Sequence, residues 1–289
     1  MKKMLALLLA LVMVLSLAAC ASSQPAAAST ETAETTETTE PAAEESAEAP
    51  AESGKTYTVG VCQLVQHEAL DAATQGFVDA LKEELGDAVT VDVQNASGDS
   101  VNCGTIVNGF VSKGVDLIMA NATPALTAAV SATADIPILG TSITAYGVAL
   151  DIDDFNGTVG GNVSGTSDLA DLQAQAQMIL DWFPETKTVG LLFCSAEPNS
   201  RYQIDEVRKA LEAQGVTCEE FAFTDSNDVS SVTQKAADFS DVVYIPTDNT
   251  AASNTEAIAN VLIPAGVPAI CGEEGLCRGC GVATLSISY

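Results

Sequence analysis

Few residues in this chain are suited to chemistry. It has one histidine, His67, followed directly by Glu68. A hydrolase or transferase needs a nucleophile and a base held by a third group, but the chain has no G-x-S-x-G, no phosphate-binding G-x-x-x-x-G-K and no G-x-G-x-x-G after a strand. A zinc hydrolase is poorly served too, because there is no H-E-x-x-H and no second histidine. The cysteines are more numerous. Seven follow Cys20, and Cys277 and Cys280 form a C-x-x-C with Cys271 six residues earlier. The redox-active form of that motif opens a helix after a strand. Here Arg278, Gly279 and Gly281 read as a loop leading into a strand, which leaves free thiols, a structural disulfide, adventitious metal binding and thiol chemistry all open.

The remaining polar residues of interest recur at one kind of place. Short β-branched runs at 57–64, 89–93, 115–120 and 137–140 alternate with helical patterns at 70–85, 101–113 and 123–132. After an irregular Gly-, Asp- and Asn-rich segment, 142–165, a second set follows. Its helices are expected at 168–183, 200–214, 228–239 and 253–263, and its strands at 188–194, 216–223, 241–245 and 268–271. Such alternation builds mostly parallel sheets covered by helices, and two sets imply two similar lobes with a cleft between them. Ligands of open parallel sheets lie beyond the carboxyl ends of the strands. Those positions hold Gln63 and His67, then Asn121 and Thr123, Thr141 and Ser142, Asn199, then Thr247, Asp248 and Asn249, and lastly Glu273 and Glu274. Taken singly, many are ordinary helix caps, but capping does not explain why carboxylates, amides and the one histidine gather at the same ends of both sheets.

The chain begins with Lys2 and Lys3, an apolar run from Met4 to Val14, and Leu17-Ala18-Ala19-Cys20. The run is a signal peptide by length and flanks, too short to span a membrane. The tetrapeptide resembles the lipobox of bacterial lipoproteins, which implies cleavage after residue 19, lipid on Cys20 and an extracytoplasmic protein anchored to the cell membrane. Residues 21–54 are almost entirely Ala, Ser, Thr, Glu and Pro, with eight Glu and no Lys or Arg, so 20–54 reads as an unfolded acidic spacer. The whole chain carries 39 acidic against 11 basic residues, for a net charge of −28. It offers no basic patch for nucleic acid or for anionic lipid headgroups, so membrane attachment rests on Cys20.

The folded part resembles the substrate-binding lipoproteins of ABC transporters, in the group that includes the tryptophan- and tyrosine-binding proteins. The matching stretches are VGVCQLVQHEALDAATQGF (59–77), QNASGD (94–99), 121–124, GGNVSGTSD (160–168), EPNS (197–200), YIPTDN (244–249) and 283–289. The resemblance implies an α/β, type I periplasmic-binding architecture of two hinged αβα lobes. It places 55–143 and 280–289 in lobe 1 and 144–279 in lobe 2, with the strand 283–289 returning to lobe 1. A further helix after that strand is implied, and the sequence given stops at Tyr289 without it.

It also implies a non-catalytic protein that binds a small polar solute, an amino acid and often an aromatic one, and delivers it to an ABC permease. The alternatives are a ligand-presenting sensor module and, less favoured, an exported enzyme on the same fold. No cofactor or metal is expected, and fold analogy suggests a monomer. For a zwitterion in a closed cleft, Asp248, with Glu274 as second choice, is expected to face the ammonium. The helix opening at Thr123 would receive the carboxylate, assisted by the Thr123 and Ser142 hydroxyls. Gln63, His67, Thr141, Asn199, Thr247 and Asn249 complete the expected site. Where relatives carry Asp-Pro after the fourth strand, this chain has Ala145 and Tyr146, and Tyr146 is a candidate to pack on an apolar ligand moiety. Trp182 and Phe193 are expected in the core.

Overall fold

A computed structural model describes residues 54–289. The signal run, Cys20 and nearly all of the acidic spacer lie outside the described residues.

Two five-stranded parallel sheets organise the chain. In the first, β1 (Tyr57–Gln63) lies between β2 (Val89–Asn95) and β3 (Leu117–Asn121), followed by β4 (Ile138–Ile143) and β5 (Val163–Ser167), in the order β2-β1-β3-β4-β5. Helices α1 (Glu68–Leu85), α2 (Ser100–Lys113), α3 (Thr123–Ala132) and the single turn α4 (Tyr146–Ala149) connect them. The second sheet runs β10-β9-β8-β6-β7, with β6 (Thr188–Cys194), β7 (Thr217–Phe223), β8 (Val242–Ile245), β9 (Ala269–Cys271) and β10 (Ala283–Thr284). Around it lie α5 (Leu172–Trp182), α6 (Pro198–Glu212), α7 (Val229–Phe239), the short α8 (Asn249–Ala252), α9 (Thr255–Ala265) and α10 (Glu274–Cys280).

Local signals fix many of the ends. Asp99 accepts the Val101 amide to open α2, and Asp171 does the same for α5 through Ala174 N. Gly114 and Gly266 close α2 and α9 in the left-handed conformation that a side chain would disfavour.

The two lobes repeat a device at the amino ends of their central strands. Thr58 donates its amide to Asp116 Oδ2 at 2.7 Å, and Thr188 donates its amide to Asp241 Oδ2 at 2.9 Å, each pair tying a lobe's first strand to the residue before its third. Both threonines open the same triplet, Thr-Val-Gly, at 58–60 and 188–190. In each triplet the glycine leaves room for a neighbouring side chain: a Cβ on Gly60 would lie 2.6 Å from the Phe110 ring, and one on Gly190 would meet Ser240 Oγ at 2.2 Å.

Strand alternation sorts the second core into two faces. Leu191, Phe193 and Tyr244 pack with Ile179, Ile204 and Val207, while Leu192, Cys194, Val243 and Ile245 pack with Val229, Ile258 and Leu276 on the other side. Lobe 1 gathers its main cluster around Leu64, Phe110, Ile118, Leu126 and Ile138.

Four expectations are corrected. Residues 144–167 belong with lobe 1 and not lobe 2, because β5 pairs with β4 and Tyr146 joins the first core. The strand expected to return to lobe 1 pairs instead with β9, Ala283 opposite Ile270 and Thr284 opposite Cys271. The C-x-x-C segment is helical and not a loop, since Glu273 accepts the Gly275 and Leu276 amides and caps α10. Trp182 is 59% exposed at the end of α5, so it is no core residue, whereas Phe193 is buried as expected.

Candidate functional site

The carboxyl ends of the lobe 1 strands carry unusual backbone. Ser97 after β2, Ala122 after β3 and Ser142 within the end of β4 all have positive φ, at 57°, 88° and 56°. Each such non-glycine residue costs of the order of 1–3 kcal/mol, and strain of this kind persists where surrounding structure imposes it. Ala122 N donates to Thr141 O at 3.0 Å, which sets the start of α3 beside the end of β4. The hydroxyls presented there are buried and unanswered: Thr123 Oγ1 and Ser142 Oγ have no hydrogen-bond partner among the described residues. Buried polar atoms in folded proteins are nearly always paired, so unpaired ones at a sheet's carboxyl end are places for a ligand's polar groups.

Deeper in the same lobe the polar residues satisfy one another. Gln63 donates to Val65 O and Asp71 Oδ1 and accepts from Thr74 Oγ1 at 2.6 Å. Asn121 donates to Leu70 O and Thr74 Oγ1. This network fixes α1 against β1 and β3.

In lobe 2 the centre is Glu197, 3% exposed. Its Oε1 accepts from Thr250 N at 2.9 Å and Thr250 Oγ1 at 2.8 Å. Its Oε2 accepts from Asn249 N at 3.1 Å, Asn249 Nδ2 at 2.6 Å and Asn199 Nδ2 at 3.2 Å. Asp248 stands beside it, with Oδ2 accepting from Cys194 N at 2.6 Å and Oδ1 from Ala251 N at 2.8 Å. Two buried carboxylates thus share the start of α8. Burial first, and the Glu197 charge second, push the Asp248 carboxyl up to about 7. Asn199 keeps its Oδ1 buried and unpaired.

The lobes meet across these ends. His67 Nε2 lies 3.1 Å from Asn249 Oδ1, and Glu68 pairs with Arg278 of α10. A cavity of about 360 Å³ is lined by Leu64, Val65, Ser97 and Pro124 from lobe 1 and by Glu197 and Thr224 from lobe 2. A second, of about 600 Å³, lies between Tyr146, Ile152 and Phe155 on one side and Tyr202 of α6 on the other. Tyr146 is buried, with its hydroxyl donating to Gly140 O at 3.0 Å, so it forms a fixed wall. Where β5 ends, Asp168 is 6% exposed; Tyr289 donates to its Oδ2, and its Oδ1 is buried without a partner. Burial raises this carboxyl too.

The ten expected ligand residues therefore separate. Thr123, Ser142 and Asn199 hold unanswered polar atoms. His67 and Asn249 touch across the cleft, and His67 caps no helix with its side chain. Gln63 is spent on the internal network, and Thr247 donates its hydroxyl to Gly272 O. Thr141 is half-buried in β4. Asp248 has both oxygens occupied as the cap of α8. Glu274 is exposed and pairs with Arg278 on the next turn. None of the ten lines the two larger interlobe cavities. Glu197 and Asp168 are additions to that set: Glu197 follows the strand 188–194 among the polar residues at the sheet ends, and Asp168 stands where the sequence placed only a helix start.

The family model described as ABC transporter substrate binding protein matches residues 58–289. The chain belongs to that family. A curated relative, a tyrosine-binding protein of Clostridioides difficile, is 32% identical over 244 residues, covering 82% of this chain and 70% of the relative. Among solved structures, an ABC domain from Streptococcus pneumoniae in complex with L-tryptophan is 32% identical with a TM-score of 0.75, covering 80% of this chain and 78% of that one. A ligand-free, open substrate-binding protein with adhesive properties from Clostridium difficile is 34% identical, covers 78% and 77%, and has a TM-score of 0.54. This substrate-binding protein is thus the extracytoplasmic, non-catalytic solute-binding component of an ABC importer, with the two-lobed type I fold.

Proposed function

We propose that this substrate-binding protein takes a free amino acid, aromatic ones included, between its lobes, and that lipid on Cys20 tethers it to the cell membrane beside its permease. The unpaired buried polar atoms on both lobes carry the reading of the ligand. A zwitterion needs donors for its carboxylate and an anion for its ammonium, since an unmatched charge in a closed cleft is expensive. The hydroxyls of Thr123 and Ser142 and the start of α3 suit the carboxylate. Asp168, with a free buried oxygen, suits the ammonium better than Asp248, whose oxygens are both taken. Tyr146, Phe155 and Tyr202 offer a wall for an apolar side chain. The tyrosine and tryptophan named for two relatives support the same ligand class.

Calorimetric titration with amino acids, after removal of co-purified ligand by mild unfolding, tests this. Saturable binding of Tyr, Trp or Phe is expected, with at least a tenfold loss of affinity in Asp168→Asn. Absence of binding across the amino acids refutes the ligand class.

A further inference from the structure

Three thiols meet in lobe 2, away from the unpaired groups at the cleft. Cys271 ends β9, Cys277 and Cys280 lie in the last turn of α10, and all three join one apolar cluster. The approach is close. A Cβ on Gly281 would stand 2.5 Å from Cys271 Sγ and 3.0 Å from Cys277 Cα. That sulfur and that Cα therefore lie no more than about 5.5 Å apart, an upper limit that leaves a bond between the two side chains within reach. The Cys271 thiol interacts with those of both Cys277 and Cys280. Cys271 is fully buried and Cys280 nearly so, which leaves Cys277, half-buried, as the thiol open to solvent. Among the described residues no group of three or more His, Cys, Asp or Glu is placed to hold a metal ion, these three thiols included.

We infer that Cys271 and Cys277 form a reversible disulfide, a modification site at which Cys277 reacts first with a disulfide oxidant outside the membrane and Cys271 resolves the product. The exchange balances. The Cys277 thiolate attacks a sulfur of the oxidant, forming a mixed disulfide and releasing one thiolate. Cys271 then attacks the Cys277 sulfur and expels the second thiolate, which takes the Cys271 proton. Two protein thiols are oxidised, and one small disulfide is reduced to two thiols.

The environment favours Cys277 as the entry point. The neighbouring Cys271 thiol first, assisted by Arg278, lowers its thiol to about 7 against the opposing effects of burial and of the Glu273 and Glu274 charges. A thiol held low in this way carries more thiolate at neutral pH than an ordinary cysteine. The product would staple α10 to β9, and α10 carries Arg278, the partner of Glu68 on the other lobe.

The test treats the purified full chain with oxidised glutathione, then alkylates it after unfolding and maps the peptides by mass spectrometry. The expected product joins Cys271 to Cys277, persists in Cys280→Ser and disappears in Cys277→Ser. A Cys277–Cys280 link, or Cys277 carrying glutathione while Cys271 is alkylated, overturns the proposal. Cys218 provides an internal comparison on the native protein: it is also half-buried, with its thiol pushed up to about 11 by burial. Iodoacetamide at neutral pH should modify Cys277 at least about tenfold faster than Cys218, and equal rates refute the assigned entry point.

Discussion

Raising the pH from about 5 to about 8 should weaken this fold, with the largest share traced to Asp248. Its carboxyl is 1% exposed, beside Glu197, and raised to about 7. In the unfolded chain an aspartate loses its proton near 3.9. Between those values the native state holds a proton that the unfolded state has released. The stability present on the acid side is therefore lost as pH rises through the folded value. Linkage puts that loss at about 2.5 kcal/mol between pH 5 and pH 8. Asp168, also raised by burial, acts in the same direction. Asp116, Glu220 and Asp241 are held low by hydrogen bonds and ion pairs, so their contributions vanish only as pH falls below the ordinary carboxylate range.

Asp248→Asn isolates the effect. Asparagine keeps the volume and one acceptor but turns an amino group toward one of the two amides, at a cost of about 1 kcal/mol at every pH. Urea unfolding followed by circular dichroism across this range should give a variant with a much flatter stability profile than the parent. Stability that is constant or rises with pH in the parent, or an equal slope in the variant, refutes the reasoning.

Glu197→Gln should destabilise by about 3 kcal/mol in the same urea assay, because five donors converge on a carboxylate that an amide can only half replace. Ser142→Ala should leave stability within about 0.5 kcal/mol of the parent, since its Oγ has no partner to lose, while weakening amino-acid binding about tenfold by calorimetry.

Most of the elements were legible because their signals are local. The short apolar, β-branched runs of β6 and β8 and the helical pattern of α2 are each read from a handful of neighbours. What failed depended on distant partners. β5 is a five-residue strand, Val163–Ser167, with glycine at its centre and little apolar content, and it exists because β4 offers it an edge. There Gly165 takes φ +150°, and a Cβ would stand 2.1 Å from Gly140 O, so the glycine that looks like a breaker is what lets the strands approach. α10 was hidden by its two glycines; the signal that gives it away is Glu273, whose carboxylate caps the following amides. At the candidate site, position after a strand gathered the polar residues at one end of each sheet but did not give each residue's duty. Asp248 and Asn199 are close in space and equally polar, yet the amides around them leave one fully occupied and the other with an oxygen free.

The balance between open and closed lobes follows from where the contacts lie. Each lobe has its own apolar core, built from buried side chains such as Phe110 and Ile118 in one and Phe193 and Tyr244 in the other. The polar links named between the lobes are of another kind. Glu68 and Arg278 are both exposed, so water and salt screen their pairing, and the His67 to Asn249 contact is a single part-buried hydrogen bond. Neither resembles the buried networks around Gln63 or Glu197, whose loss would cost whole kilocalories. Closure held this lightly would let a solute with the contacts proposed above, to Thr123 and Ser142 on one lobe and Asn199 on the other, shift the population decisively, because it would add contacts that only a closed form can make.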